Sequence, residues 1–300
     1  MIQPAKKIMM VRPKHFGFDP ASADSNAFQH KEGAEQKNDI ATEAIAEFDA
    51  AVTKLRANGL EVLVIQDTNK PEKPNAVFPN NWISFHENQV LIYPMMAENR
   101  RWERRDEILD EVLGESEKQI IDLSEFEKES KFLESTGSVV IDYVNDLAYA
   151  CISARTDQDV LEKMCEVLKL EPILFEAVDK EGLEIYHTNV MMCLAADYAV
   201  ICLESIKEEY RDAVVAALTK TGHQLIELSM DQIYHFAGNM METLDESGNS
   251  VLVMSDTAMK SLTIDQKETV AQFSQTLSIH IPTIEKYGGG SARCMMCRLE

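Results

Sequence analysis

The 300-residue sequence predicts an α/β fold: a five-bladed β/α propeller with pseudo-fivefold symmetry, formed by residues 1–300 as one domain. Three observations predict it. A strand-strand-helix-strand unit recurs along the chain. An altered copy of that unit opens the chain, and one leftover strand, Cys294 to Leu299, closes it. Pairing that last strand with the first would close a ring and leave no sheet edge open.

The first unit holds strand KIMMVRP, a long polar segment from Lys14 to Asp39, a helix through Ile45, Phe48, Val52 and Leu55 stopped by Asn58-Gly59, and strand LEVLVIQ. The second has WISF, a polar turn at His86-Glu87-Asn88-Gln89, VLIYPM, a helical stretch and QIIDL. The third has GSVVIDY, turn Asn145-Asp146, LAYACIS, a helix carrying Val160, Leu161, Met164, Cys165 and Leu168, and PILFEAV. In the fourth, NVMMCLA, turn Ala196-Asp197 and YAVICLE precede a helix with Tyr210, Val214 and Leu218 that ends at Gly222, and QLIELS closes it. The fifth has NMMETL, a turn at Asp245-Glu246-Ser247-Gly248-Asn249, SVLVMS, a helix with Val270, Phe273 and Leu277, and SIHIPTI. Apolar positions three, four or seven apart give each helix one packing face, and turns rich in Asn, Asp or Gly suit hairpins. The segment 14–39 is long enough to be a lid centred on Ser25-Asn26-Ala27-Phe28-Gln29, a plain surface insertion being the alternative.

With 51 acidic and 29 basic residues the formal charge is −22, which repels phosphate backbones and anionic membrane surfaces. Neither nucleic acid nor membrane is expected as a partner. The N-terminus lacks a signal-like apolar run, and no stretch of eighteen apolar residues occurs, so a cytoplasmic protein is expected. Six cysteines lie mostly within apolar runs, as free thiols in a reducing compartment do. Acidic outer helices permit a homodimer without specifying one.

Equivalent positions at the start of each unit's first strand should converge on the propeller axis. The polar residues there are Asn81, Glu134, His187, Asn239 and Cys294, spaced 53, 53, 52 and 55 residues apart. That register gathers a thiol, an imidazole and a carboxylate around one cavity, the residue types of a nucleophile, a proton shuttle and an orienting group. Gly288-Gly289-Gly290 before Cys294 lets the backbone approach a ligand closely. The Cys294-x-x-Cys297 spacing admits a zinc or redox reading, but no second cysteine pair accompanies it.

The motifs FPNNW near residue 80, FLESTGSVV at 132–140, YHTNVMM at 186–192, FAGNMMET at 236–243 and GGGSARCMMC at 288–297 resemble the guanidino-group-modifying (pentein) superfamily. It includes arginine deiminases, dimethylarginine dimethylaminohydrolases and amidinotransferases. The sequence is most similar to the citrulline-utilisation hydrolase branch. The resemblance spans the chain and implies Cys294 as nucleophile, His187 as general acid/base and Glu134 as its partner, with no cofactor and no metal. Charged-substrate members carry carboxylates where this chain has Asn80, Asn81 and Asn189. Amides both donate and accept, which suits a neutral ureido group better than a guanidinium.

The expected reaction is therefore hydrolysis of citrulline, a small-molecule amino acid, to ornithine, ammonia and carbon dioxide through a covalent Cys294 intermediate. Asn81 and Asn189 would hold the ureido group, with Asn80, Asn239 and Phe78 among the substrate contacts. Amides of Gly288–Gly290 would stabilise the oxyanion. Arg293 and Asn26 would meet the α-carboxylate and α-amino groups. The alternatives are a guanidino substrate, for a deiminase, dimethylarginine hydrolase or amidinotransferase, and a propeller that binds an amino acid without chemistry.

Overall fold

The computed structural model describes residues 3–23, 25–114 and 116–299. Its strands are β1 (Lys7–Arg12), β2 (Glu61–Gln66), β3 (Ile83–Phe85), β4 (Gln89–Ile92), β5 (Gln119–Asp122), β6 (Val140–Asp142), β7 (Leu147–Cys151), β8 (Glu171–Phe175), β9 (Met192–Leu194), β10 (Tyr198–Ile201), β11 (Gln224–Glu227), β12 (Met241–Leu244), β13 (Ser250–Ser255), β14 (Gln275–Ile279) and β15 (Cys297–Leu299). They form five three-stranded sheets: β15-β1-β2, β3-β4-β5, β6-β7-β8, β9-β10-β11 and β12-β13-β14. In every sheet the middle strand runs antiparallel to the first strand of its blade and parallel to the last. The parallel step needs a crossover, and the helical segment between the second and third strands of each blade supplies it. Pairing of β15 with β1, from Lys7↔Leu299 to Met9↔Cys297, joins the two ends of the chain within one blade.

Local sequence explains most boundaries. Asp157 caps helix Gln158–Leu168 by accepting from the Asp159 and Val160 amides, and the helix closes on Lys169 in a left-handed conformation. Gly59, at φ 78°, follows the helix Lys37–Ala57. The Asp245 carboxylate accepts from the Ser247 and Asn249 amides, which locks the hairpin turn in the fifth blade. The fifth helical stretch differs from the expected single helix. An N-cap at Ser255 and a capping box at Thr263 split it into Asp256–Ser261 and Ile264–Val270, and Leu277 falls on β14 with its side chain buried. A seven-residue apolar interval fits a helix or an inward strand position equally well, and the caps decide it.

The first strands are shorter than the sequence suggests. Three of them are preceded by a short helical turn: Pro79–Asn81 before β3, Ser135–Ser138 before β6 and Thr188–Met191 before β9. This turn positions the site. Segment 14–39 lies against the ring, with Phe28 buried among Tyr186, Tyr234 and Phe236 at centroid distances of 5.9, 5.3 and 5.8 Å. The His30 amide donates to the Lys286 carbonyl at 2.8 Å and fixes the segment to the body. No helix is long and apolar enough to cross a membrane, among the described residues.

Candidate active site

The short helical turns aim their flanking residues at one small cavity. Its lining includes Phe78, Asn81, Arg100, Arg155, Tyr186, His187, Gly288 to Gly290 and Cys294, and it is capped by Ser22, Asn26 and Gln29 of segment 14–39 together with Asn75. Glu134 and His187 are the residues just before the turns Ser135–Ser138 and Thr188–Met191. His187 Nε2 lies 2.9 Å from Glu134 Oε2, both side chains buried. Gly137 allows this pair to sit close to the adjacent backbone, because a Cβ there would lie 2.8 Å from the imidazole and 2.6 Å from Asn81 Nδ2.

Two arginines that sequence reasoning missed control the charge. Arg155 Nη1 donates to Glu134 Oε2 at 3.2 Å, and Arg100 Nη1 lies 3.8 Å from the same oxygen. Arg100 is itself held by Glu103 through two contacts, 2.8 and 2.9 Å, and donates to Asn81 Oδ1 at 2.9 Å. Burial penalises the Glu134 carboxylate, but the Arg155 cation, the His187 hydrogen bond and Arg100 outweigh it and hold its pKa far below the usual carboxylate range. For His187, burial dominates: its pKa is lowered to about 4, with Glu134 opposing the shift and the two arginines adding to it. The imidazole is neutral at neutral pH. With an ionised Glu134 accepting at Nε2, that nitrogen carries the proton and Nδ1 carries the lone pair.

Cys294 Sγ sits among amides, 3.3 Å from Asn239 Nδ2 and 3.7 Å from Asn189 Nδ2. Asn239 is committed to the protein. Its amide nitrogen donates to the Asn189 carbonyl at 2.9 Å, and its oxygen accepts from the Arg293 and Cys294 amides at 3.0 and 3.4 Å. It pins the Cys294 turn and does not line the cavity. Asn81 faces the cavity, whereas Asn80 lies behind it, its Oδ1 accepting from Asn81 Nδ2 at 3.2 Å and its buried Nδ2 having no hydrogen-bond partner. Phe78 lines the cavity against Gly288 and Gly290, where Cβ atoms would meet its ring at 2.6 and 3.1 Å.

Two expectations need correction. The Arg293 guanidinium turns away, donating to the Met296 carbonyl at 2.7 Å and lining a separate cavity with Arg298 and Glu242. The chain here is a helical turn, with the Cys294 amide bonded to the Ser291 carbonyl and the Met296 amide to the Arg293 carbonyl, so the Arg293 and Cys294 side chains diverge by about 100° and the guanidinium does not reach the cavity beside Cys294. The Gly289 amide is spent on the Glu285 carbonyl at 2.9 Å. The loop instead offers carbonyls: Gly289 O accepts from Tyr186 Oη at 2.5 Å, and Asn26 Nδ2 approaches Gly288 O and Gly289 O at 3.4 Å each. An amide oxyanion hole at Gly289 is thus not available.

Asn26 reaches the cavity as expected, from the cap. Cys297 points elsewhere, its thiol 3.6 Å from the Ile83 carbonyl and raised by burial to about 12, so it does not join Cys294 in a shared site. No group of three or more His, Cys, Asp or Glu suited to a metal ion occurs among the described residues.

The profile of the family described as N,N dimethylarginine dimethylhydrolase, eukaryotic, matches residues 12–300. No curated protein matches the sequence. Solved structures of the same fold include the substrate-bound N-terminal domain of ArgZ, an arginine dihydrolase from the ornithine-ammonia cycle in cyanobacteria (TM-score 0.76, 14% identity, 98% of this chain and 97% of that one). Unliganded AgrE gives TM-score 0.77 at 16% identity, with 98% of this chain covering 39% of that longer one. A dimethylarginine dimethylaminohydrolase bearing an S-methyl-L-thiocitrulline adduct gives TM-score 0.66 at 15% identity, covering 98% of this chain and 99% of that one. At these identities the structural likeness speaks for the fold.

Proposed function

The chain belongs to the N,N-dimethylarginine dimethylhydrolase family of the guanidino-group-modifying superfamily and is a C–N hydrolase of that superfamily; on this premise we propose that its substrate is the ureido amino acid citrulline. One observation carries the choice. Among the described residues the cavity lining holds two arginines and several amides but no Asp or Glu. A guanidinium placed there would meet Arg100 and Arg155 without a carboxylate of its own, since Glu134 already serves His187, Arg155 and Arg100. Like charges ~4 Å apart near a protein surface repel by about 4 kcal/mol. A neutral ureido group avoids this, and the Asn81 amide on the cavity wall can both donate to it and accept from it; Asn189, expected beside it, instead donates to the Thr136 carbonyl at 3.1 Å and borders the separate cavity lined by Arg293.

The chemistry follows from the protonation states. Cys294 Sγ attacks the ureido carbon while the neutral His187 takes the thiol proton at Nδ1, which Glu134 stabilises as imidazolium. The tetrahedral intermediate collapses with cleavage of the bond to the δ-nitrogen, His187 gives that nitrogen the proton, and ornithine leaves a carbamoyl-Cys294 thioester. His187, neutral again, removes a proton from water as it attacks the carbamoyl carbon. The thiolate leaves and is reprotonated, and the released carbamate decomposes to ammonia and carbon dioxide. The amino-acid end of the substrate lies toward the cap. Arg100 and Arg155 give that region a positive potential for the α-carboxylate, and Gly288 O, Gly289 O and the partnerless buried oxygens Gln29 Oε1 and Asn75 Oδ1 offer acceptors for the α-ammonium.

A second reading, a guanidino substrate, is favoured by the family's description and by the arginine dihydrolase among the structures of like fold. Citrulline, arginine, dimethylarginine and agmatine are supplied separately and the products identified. Ornithine from citrulline alone supports the ureido reading; ornithine from arginine but not from citrulline overturns it. Cys294→Ser removes turnover in either case, and persistence of turnover in that variant excludes the covalent route.

A further inference from the structure

We propose that Arg155 is a positioning residue that couples the seating of segment 14–39 to the Glu134–His187 pair. The inference rests on reading His187 as the proton carrier, but its test needs no substrate. Arg155 is buried, and its guanidinium divides its donors between two parties. Nε and Nη2 donate to Ser25 Oγ at 3.0 and 2.8 Å and Nη2 to the Ser22 carbonyl at 2.7 Å, all on segment 14–39. Nη1 donates to Glu134 Oε2, the same oxygen that His187 engages. Its guanidinium also lies 5.1 Å from the centroid of the Tyr186 ring, whose hydroxyl donates to Gly289.

A planar fork can serve both parties only while their separation is fixed, so seating the segment places the cation against Glu134. Lifting the segment removes three of the four hydrogen bonds named here and frees the guanidinium to leave the pair. The titratable and charged groups facing His187 are Glu134, Arg155, Arg100, Tyr186 and Cys294. Of these, Arg155 is the one that also bonds to the cap, so it is the one whose charge moves with the cap. Arg100 is tied to Glu103 and stays. The seated cap therefore holds the imidazole neutral, the form that accepts a proton from Cys294 or from water, and cap lifting makes it easier to protonate.

The experiment follows two observables in the unliganded full-length protein: the His187 titration midpoint by NMR, and hydrogen exchange of the peptide around residues 26–30, whose His30 amide bonds to the body. Ser25→Ala is expected to speed exchange about tenfold and to raise the midpoint by a few tenths of a pH unit. Arg155→Gln is expected to speed exchange and raise the midpoint by about one pH unit. Arg155→Lys keeps a cation but not the fork, so exchange accelerates while the midpoint moves less than in Arg155→Gln. Coupling is reciprocal, so Glu134→Gln must also speed exchange at 26–30. Faster exchange in Ser25→Ala with an unmoved midpoint overturns the proposal, as does wild-type exchange in Glu134→Gln. A merely structural Arg155 would change exchange without moving the midpoint. If the coupling holds while citrulline is not consumed, the proposed substrate fails and the coupling stands.

Discussion

Gly137→Ala isolates the packing that holds the Glu134–His187 pair. Gly137 does not adopt a positive φ and lies in the turn Ser135–Ser138, so alanine introduces no backbone strain. Its Cβ, however, would lie 2.6 Å from Asn81 Nδ2 and 2.8 Å from both Cε1 and Nδ1 of His187, where ordinary contact begins at 3.4 Å. The neighbours must retreat by about 0.6 to 0.8 Å. Neither retreats freely: Asn81 is held by Arg100 at 2.9 Å and His187 by Glu134 at 2.9 Å. A displacement near 1 Å in a catalytic group costs about 100-fold in rate, equivalent to about 2.7 kcal/mol of transition-state stabilisation. Overpacking of this kind also lowers folding stability by roughly 1–3 kcal/mol. The assay is kcat/KM for citrulline in the wild type, Gly137→Ala, His187→Ala and the double variant, with urea unfolding in parallel. The alanine should cost little more once the imidazole has been removed, because both changes disable one unit. Wild-type kcat/KM in Gly137→Ala at unchanged stability would refute the assignment of His187 to the chemistry.

Other perturbations test separate links. Asn81→Asp places a carboxylate beside the reacting group, so the ratio of citrulline to guanidino turnover should fall about tenfold or more; an unchanged ratio counts against the amide argument. His86, hydrogen-bonded to Ser84 at 2.7 Å, is pushed down to about 3 mainly by burial. The unfolded chain protonates this group near its ordinary value while the folded protein does not, so stability is lost as pH falls below about 6.5. Between pH 7 and 5 the wild type should lose about 2 kcal/mol more than His86→Gln in urea unfolding, and equal losses would contradict the buried neutral state. Phe28→Ala empties the aromatic seat made by Tyr186, Tyr234 and Phe236, so KM should rise about tenfold while the urea midpoint of the body barely moves. A large fall in that midpoint instead would mean that segment 14–39 is integral to the fold.

Much of this was legible without coordinates, for a definite reason. A repeat of nearly constant length makes equivalent positions meet, so spacing alone brought Glu134, His187 and Cys294 toward one axis, and a leftover strand at the end implied the β1–β15 pairing. Periodicity cannot separate a helical face from an inward strand position, which is why apolar spacing alone extends the fifth helix through Phe273 to Leu277. Arg100 and Arg155 carried no signal. In a sequence, an arginine in a polar stretch reads as solvated surface, and only folding shows that Glu134 and Glu103 are buried close enough to retain the two cations.

The sequence by itself determined the five-bladed architecture, the thiol, imidazole and carboxylate, and the Asn81 amide beside them, because these depend on residue type and register. Direction was decided by tertiary structure. It turned the Arg293 guanidinium into a separate cavity, spent Asn239 on pinning Cys294, and turned the Gly288–Gly289 carbonyls rather than amides toward Asn26 and Tyr186. It also left His187 neutral, since the balance of burial against Glu134, Arg155 and Arg100 depends on distances of a few ångströms between residues far apart in the chain.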